Sequence, residues 1–331
     1  MTSSKNGPWR TAGRQLIRNR PAMISAAAFL IILLACLAAP LYAHHVAHVD
    51  PLASNIAGTT VVDGRTTDLL QQSTDGLGLG VTPLGPTWDP GHYLLGADNQ
   101  GRDIAARLLY GGRNSLYIGL ASAFVCCLLA AVLGIVAGYF GGWIDAVLAR
   151  LFDVIWAFPV YLLAICLSVV LVTGGLHIGP LHLNAGSLLL PILIIAVIYV
   201  PYVARPLRGQ VMALRERDFI QASIGSGAAD WRIMRREVLP NVLPTLIVFL
   251  PMMTALNMLT ESALSFLSVG VQSPDASWGT IINDGLGLLY TRPVVTVAPG
   301  LLIALTAIAL NVLGDGVRDA LDPNARLRGG A

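Results

Sequence analysis

The residues able to do chemistry are few and unevenly placed. Lys5 is the only lysine. A phosphate-cradling P-loop closes on Gly-Lys-Ser/Thr and sends that lysine to the nucleotide phosphates. No such run exists, so this chain binds no nucleotide in that manner, and a Schiff-base lysine within its apolar segments is excluded as well. His-Glu-x-x-His and Gly-x-Ser-x-Gly are absent. Gly96, Gly101, Gly111 and Gly112 follow no predicted strand and make no nucleotide loop. Cys36, Cys126, Cys127 and Cys166 fall in apolar runs without disulfide or metal spacing and read as small fillers. His44, His45 and His48 cluster without a pointer to an acidic partner and read as interfacial polar residues.

Two features remain. Glu261 lies in an apolar run with Thr254, Asn257, Ser265 and Ser268 on nearly one helical face. Ionisable groups inside spans usually face a bundle interior or an aqueous path, so Glu261 lines a translocation route or braces two helices, and both readings stand. The second feature is Arg205–Pro240, with seven arginines against four acids between very apolar segments. A charged loop held out of lipid is presented to a partner. Asp315 and Arg318, at the end of the last apolar run, are expected to pair.

The elements that carry these groups are membrane helices. Of 331 residues, 55% are hydrophobic and 12% charged, half the charge of an ordinary soluble chain, which is about 25%. The uncharged runs are Pro21–Val49, Asn114–Ile144, Val154–Ala204, Val238–Thr260 and Pro293–Gly314. A crossing takes about 20 apolar residues; the third run is too long for one and divides at Thr173–Ser187. Six spans follow, near 22–43, 115–138, 152–173, 187–205, 242–268 and 294–314. Blocks of this length exclude a β-barrel, whose strands alternate over about ten residues. The fold class is therefore an all-α polytopic membrane protein.

Lys5, Arg10, Arg14, Arg18 and Arg20 precede the first span with no acid among them. The positive-inside rule places that arm, and after six crossings the tail, in the cytoplasm. The basic lead and long apolar run fit a retained helix better than a cleaved signal peptide. The expected organisation is a cytoplasmic arm at 1–21, a first helix at 22–43 and an external loop at 44–114. A five-helix core at 115–314 with an inner loop at 205–240, then a cytoplasmic tail at 315–331, complete the chain.

Within the external loop, Ala53–Pro90 reads as irregular and peripheral. His92–Leu116 reads as ordered, with Asp98 capping a turn and a short interfacial helix before the second span. Gly138–Gly142 ends that span in a bend, with Trp143 and Trp156 near the inner interface. Pro191, Pro201 and Pro206 predict kinks or an early end in the fourth. In the inner loop, Arg205–Ser223 is expected as a helix with Leu207, Val211, Leu214 and Phe219 on a sticky face. Gly225 and Gly227 then permit a sharp turn, and Ala228–Val238 forms a short helix ended near Pro240.

These residues resemble a family. Gln221-Ala222-Ser223, three residues, Gly227, nine residues and Glu237-Val238-Leu239-Pro240 resemble the Glu-Ala-Ala loop of bacterial ABC importer permeases. That pattern is Glu-Ala-Ala, three residues, Gly, nine residues, Ile-x-Leu-Pro; Gln221, Ser223 and Glu237 depart from it. Leu95-Gly96-Ala97-Asp98…Gly101-Arg102-Asp103…Arg107-Leu108…Gly111-Gly112-Arg113-Asn114-Ser115-Leu116 is similar to the segment before the second span of dipeptide/oligopeptide permease C subunits. Leu264-Ser265-Phe266-Leu267…Gly270-Val271-Gln272…Pro274…Ser277-Trp278-Gly279 and Asn311-Val312-Leu313-Gly314-Asp315…Arg318-Asp319…Leu321-Asp322-Pro323 are similar to two further segments in the same order. Glu261 falls where that family often has an acid. The likeness covers nearly the whole chain, with Ala53–Pro90 as an insertion.

The resemblance implies an ABC type I importer permease, not an enzyme, in the bacterial cytoplasmic (inner) membrane. Implied partners are a homologous second permease, two ATP-binding subunits or a fused pair, an external solute-binding lipoprotein and the lipid bilayer, with no nucleic acid. This chain then holds no cofactor; ATP and Mg are used by the partner ATPases. The helix Ala228–Arg236 becomes the coupling helix, with Trp231 as an anchor and Arg232, Arg235 and Arg236 meeting ATPase acids or the inner headgroups. The implied cargo is a dipeptide or oligopeptide. Nickel chelates, glutathione and sugar-derived solutes are the alternatives within the family. An ion-coupled secondary transporter is the remote one, since no chain of intramembrane acids is present.

Overall fold

The computed structural model describes residues 8–62, 64–72, 80–174, 176–178, 181–183 and 186–321. Helices α1 (Pro8–Arg18), α2 (Arg20–Leu37) and α3 (Ala39–Tyr42) open the chain. Asn19 starts α2 by accepting from Ala22 N at 3.2 Å, with Pro21 in the first turn, where its missing N–H costs nothing.

The insertion is folded, contrary to its irregular reading. Strands β1 (Thr59–Val62) and β2 (Arg65–Asp68) form one antiparallel hairpin, β3 (Leu70–Gln72) and β4 (Val81–Pro83) another. Leu69, Leu84, Tyr93 and Ala97 are buried beneath them. The strands are three or four residues long, too short for a visible period-2 pattern, and their cohesion comes from a core shared with Tyr93 and Ala97.

Helix α4 (Ile104–Phe140) is the longest element at 37 residues. At 1.5 Å per residue it measures about 55 Å, well beyond a hydrocarbon core of about 30 Å. The expected interfacial helix is thus the first turns of α4 itself, capped by Asp103, whose carboxylate accepts from Ala106 N at 2.8 Å. Gly141 and Gly142, at φ +66° and +55°, end it in the expected bend.

The third expected span is a broken pair, α5 (Gly142–Ala157) and α6 (Val160–Gly174), bent by 91° between them. Pro159 excludes the helical region for Phe158, which is extended at φ −94° and ψ 142°. A hairpin, β5 (Leu176–Ile178) with β6 (Leu181–Leu183), leads to α7 (Leu189–Arg215). Pro201 and Pro206 lie inside α7 without ending it, as proline is tolerated within membrane helices.

Helices α8 (Asp218–Gly225) and α9 (Asp230–Ile233) follow. A π-turn at Met234–Val238 carries α9 into α10 (Leu239–Phe266). The expected stop at Pro240 is not made, since Pro240 occupies the first turn of α10, where proline is tolerated. Helices α11 (Trp278–Gly285) and α12 (Val294–Leu321) complete the described chain.

Among the described residues, five helices are long and apolar enough to cross a membrane, and six spans result with the bent pair counted as one. Their outward faces carry exposed Ile31 and Leu34 on α2, Phe124 and Leu128 on α4, and Leu305 and Ile308 on α12, a surface suited to lipid. The inward faces are stripped of bulk. A side chain on Gly119 of α4 would press on Met258 of α10, one on Gly134 on Ala204 of α7, and one on Gly138 on Arg208 and Val211. Small residues let helix backbones approach closely, which drives packing where no hydrophobic effect operates between helices. Cys126 and Cys127 are buried on the same helix; all four cysteines are free thiols, and Cys166 alone is exposed. The N-terminal end of α2 meets the C-terminal end of α12, where a Cβ on Gly316 would strike Ala22. Both described ends of the chain therefore lie on one side of the bundle.

Candidate functional site

The inner loop is a corner built on three buried anchors. Ile220 of α8, Ile233 of α9 and Val238 of the π-turn are fully buried and join the main core. Gly227 sits between them at φ +78°, the left-handed region glycine supplies without strain. Around this frame the loop shows its other face to solvent: Phe219, Ile224 and Trp231 are exposed, Trp231 at 69%. Gln221, Ala222, Arg232, Arg235 and Arg236 are exposed too, while Ser223 and Leu239 are half-buried and Pro240 is exposed.

The basic block divides by role. Arg205 pairs with Asp153 of α5 at 2.7 Å and stacks 4.8 Å over the Trp156 ring, and Arg208 pairs with Asp145. These two hold α5 against α7. Among the described residues, Arg215, Arg217, Arg232, Arg235 and Arg236 make no ion pair, and the last three lie beside Trp231 as uncommitted charges. The expected single helix across Arg205–Ser223 is instead the end of α7, a break at Glu216–Arg217, and α8. Gln221 explains the break's closure: its side-chain amide donates to the Arg215 carbonyl at 2.8 Å. A glutamate there has no hydrogen to give. Sequence reasoning missed Tyr139, whose hydroxyl donates to Asp230 Oδ1 at 2.8 Å and ties the C-terminal end of α4 to α9.

The external segment forms a second constellation. Arg102 Nε and Arg107 Nη1 donate to Asp98 Oδ2 at 2.7 and 2.5 Å, and both guanidiniums reach Asp284 of α11 at 2.9 Å. Asp98, Arg102 and Arg107 are buried, as paired buried charges must be. Asp98 also accepts from the backbone of Gln100 and Arg102 at 2.9 and 3.0 Å, the turn cap its position predicted. Gly101, at φ +71°, leaves room for the Asn55 carbonyl that a side chain would strike. Asp103 is nearly fully buried; burial, with the Asp98 charge adding to it, pushes its carboxyl up to about 6, against the pull of its bonds from Ala106 and Ala105. Arg113 stands apart, exposed. Asp284 had no signal in the sequence beyond being an acid near a quoted segment.

The signature segments quoted for the resemblance meet here. Trp278 is fully buried; its indole donates to the Leu108 carbonyl at 2.9 Å and its backbone N–H to Ser115 Oγ at 3.1 Å. Asn114 donates to the Ala276 carbonyl at 2.8 Å, and a side chain on Gly112 would enter the Trp278 ring. Glu261 is fully buried and takes hydrogen bonds from Ser265 at 2.6 Å and from Ser262 at 3.4 Å, both on α10. Asn257 is also fully buried, and with its amide turned end for end it accepts from Ser122 at 3.1 Å and donates to the Met253 carbonyl at 3.3 Å. Thr254 and Ser265 share that buried face, but Ser268 does not: it follows the end of α10 at φ +61° and is exposed. Asp315 and Arg318 are both exposed, and among the described residues no ion pair joins them. Exposed partners three apart on a helix gain too little to hold one geometry.

Residues 130–327 match the family of binding-protein-dependent transport system inner membrane components, and residues 7–57 match the N-terminal transmembrane domain of oligopeptide transport permease C. The chain belongs to this family of multi-pass inner-membrane permease components. It is 32% identical to the dipeptide transport system permease DppC of Alkalihalophilus pseudofirmus over 96% of this chain and 91% of that one. It is 36% identical to the glutathione transport system permease GsiD of Pectobacterium atrosepticum, over 71% and 73% of the two chains. A putative peptide transport system permease of Brucella abortus is 39% identical over 72% and 75%. Among solved structures, the inward-facing MetNI methionine ABC transporter aligns with a TM-score of 0.51 at 18% identity, over 65% of this chain and 96% of that one. That likeness establishes the type I ABC permease fold.

Proposed function

We propose that this permease carries dipeptides or oligopeptides inward, forming the pathway with a homologous second permease and drawing its energy from two ATPase subunits at the Gln221–Pro240 corner. The observation that carries the reading is the corner's unshared face: Trp231 and three uncommitted arginines exposed on a rigid frame. Tryptophan and arginine are the residues most enriched at interface hot spots, and a transport subunit without a nucleotide-binding motif needs its motor elsewhere. In this reading the corner and both termini face the cytoplasm, and the Asp98–Asp284 knot faces the external binding lipoprotein. ATP and Mg stay with the ATPases.

Peptide cargo is supported by the dipeptide permease relative that spans nearly the whole chain. The glutathione permease relative supports a second reading, glutathione or another non-peptide solute. Purifying the complex with its binding protein and identifying the small molecule retained decides between them. Replacing Trp231 with alanine should weaken ATPase capture at least tenfold; capture at the normal level would overturn the assignment of the corner.

A further inference from the structure

Two departures from the Glu-Ala-Ala loop pattern touch each other. Ser223 stands where the pattern has alanine, Glu237 where it has isoleucine. Ser223 Oγ donates to Glu237 Oε1 at 2.7 Å across 14 residues, and both side chains are half-buried. The second carboxylate oxygen of Glu237 is buried with no hydrogen-bond partner. We infer that Ser223 and Glu237 are a positioning pair that sets the angle of the Gly227 corner, replacing an apolar contact of the family pattern with a directional one.

The geometry gives the pair its leverage. Gly227 has nothing within 4 Å of where a Cβ would stand, so side-chain packing does not fix the angle at that residue. Backbone bonds close the turn itself, from Gly227 N to Ile224 O at 3.0 Å and from Ala228 N to Ser223 O at 3.1 Å. Ser223–Glu237 is the side-chain bond that crosses from α8 to the π-turn leading into α10. An alanine–isoleucine contact is non-directional, whereas an O–H to carboxylate bond is short and angularly selective. Removing the hydroxyl alone leaves a partly buried carboxylate with neither oxygen partnered, the more damaging half of the change.

The inference rests on the proposed coupling role of the corner, and its test separates the two. The assembled importer is mixed with its external binding protein as purified, and the fold stimulation of ATP hydrolysis is measured beside the amount of complex assembled. Ser223→Ala and Glu237→Ile should each cut stimulation roughly tenfold per assembled complex, the scale of one hydrogen bond to a charged group. Glu237→Gln, whose amide oxygen still accepts from Ser223, should stay within about twofold, and the Ser223→Ala/Glu237→Ile double variant should recover to a similar level. Unchanged stimulation in Ser223→Ala, or a double variant no better than the worse single one, overturns the pair. Where Glu237→Ile fails to accumulate, the contrast between Ser223→Ala and Glu237→Gln decides: equal behaviour overturns the pair. Gly227→Leu is the control for the underlying reading. A normal Gly227→Leu removes the coupling role itself, while an uncoupled one beside a normal Ser223→Ala removes only the pair.

Discussion

Asp98 accepts two buried guanidiniums at one oxygen, and its loss leaves both with the half-buried Asp284 alone. Removing one partner of a buried pair costs about 3–5 kcal/mol, so Asp98→Ala should lower the melting temperature of the detergent-purified chain sharply, where Arg113→Ala should not. Glu261 behaves differently because its donors are serine hydroxyls that can turn. Glu261→Gln should cost about 1 kcal/mol, and Glu261→Leu, which abandons the Ser262 and Ser265 hydroxyls in a buried site, roughly 2–4 kcal/mol. Asp103 supplies a pH signature. Its folded value, about 6, lies above the 3.8 of the unfolded chain, so the folded state binds more protons between those limits. Its contribution is fully present below about 3.8 and is lost as pH rises through 6. Asp103→Asn keeps the helix cap and should flatten that pH 4–6 slope in the difference between variant and parent stabilities.

At the level of elements, the corner and the α4–α7 contact make opposite demands. Gly227→Leu has free space yet an unfavourable φ, so the chain should insert normally with only the corner disturbed. Gly138→Leu has no space at all and should separate α4 from α7, lowering the yield of folded protein from detergent. Gln221→Glu should loosen the α7–α8 break by about 1 kcal/mol, read as faster hydrogen exchange over 216–225.

The legibility of these elements in the sequence follows the range of the forces that make them. Apolar runs report burial in lipid residue by residue, so most spans were readable, as were the turn at Gly141–Gly142 and the one at Gly227. Pro159 was readable as a breaker too, but hydropathy averaged across it and hid the 91° bend. The Asp98–Arg102–Arg107–Asp284 knot joins residues up to about 180 apart, and the bonds of Trp278 to Leu108 and Ser115 are nearly as remote. Resemblance supplied those segments in order, but only the fold says that they touch.

For the molecule as a whole, the proposed orientation predicts a labelling pattern. A cysteine at Trp231 should react with a membrane-impermeant thiol reagent only in inverted vesicles, and one at Trp88 only in intact cells. Both positions are exposed, Trp231 at 69% and Trp88 at 72%, and Cys166 is the only exposed native thiol to replace first. Reaction of both from the same side would contradict the six-crossing arrangement.

The unbroken α4 has a mechanical consequence. One end joins the charge knot through Arg107, and the other grips Asp230 through Tyr139, with no proline between. Such an element acts as a tie-rod: tilting it by about 5° around its midpoint would displace each end by about 2.4 Å in opposite directions. A change in how the outer knot is held thus arrives at the inner corner as displacement of a single stiff body.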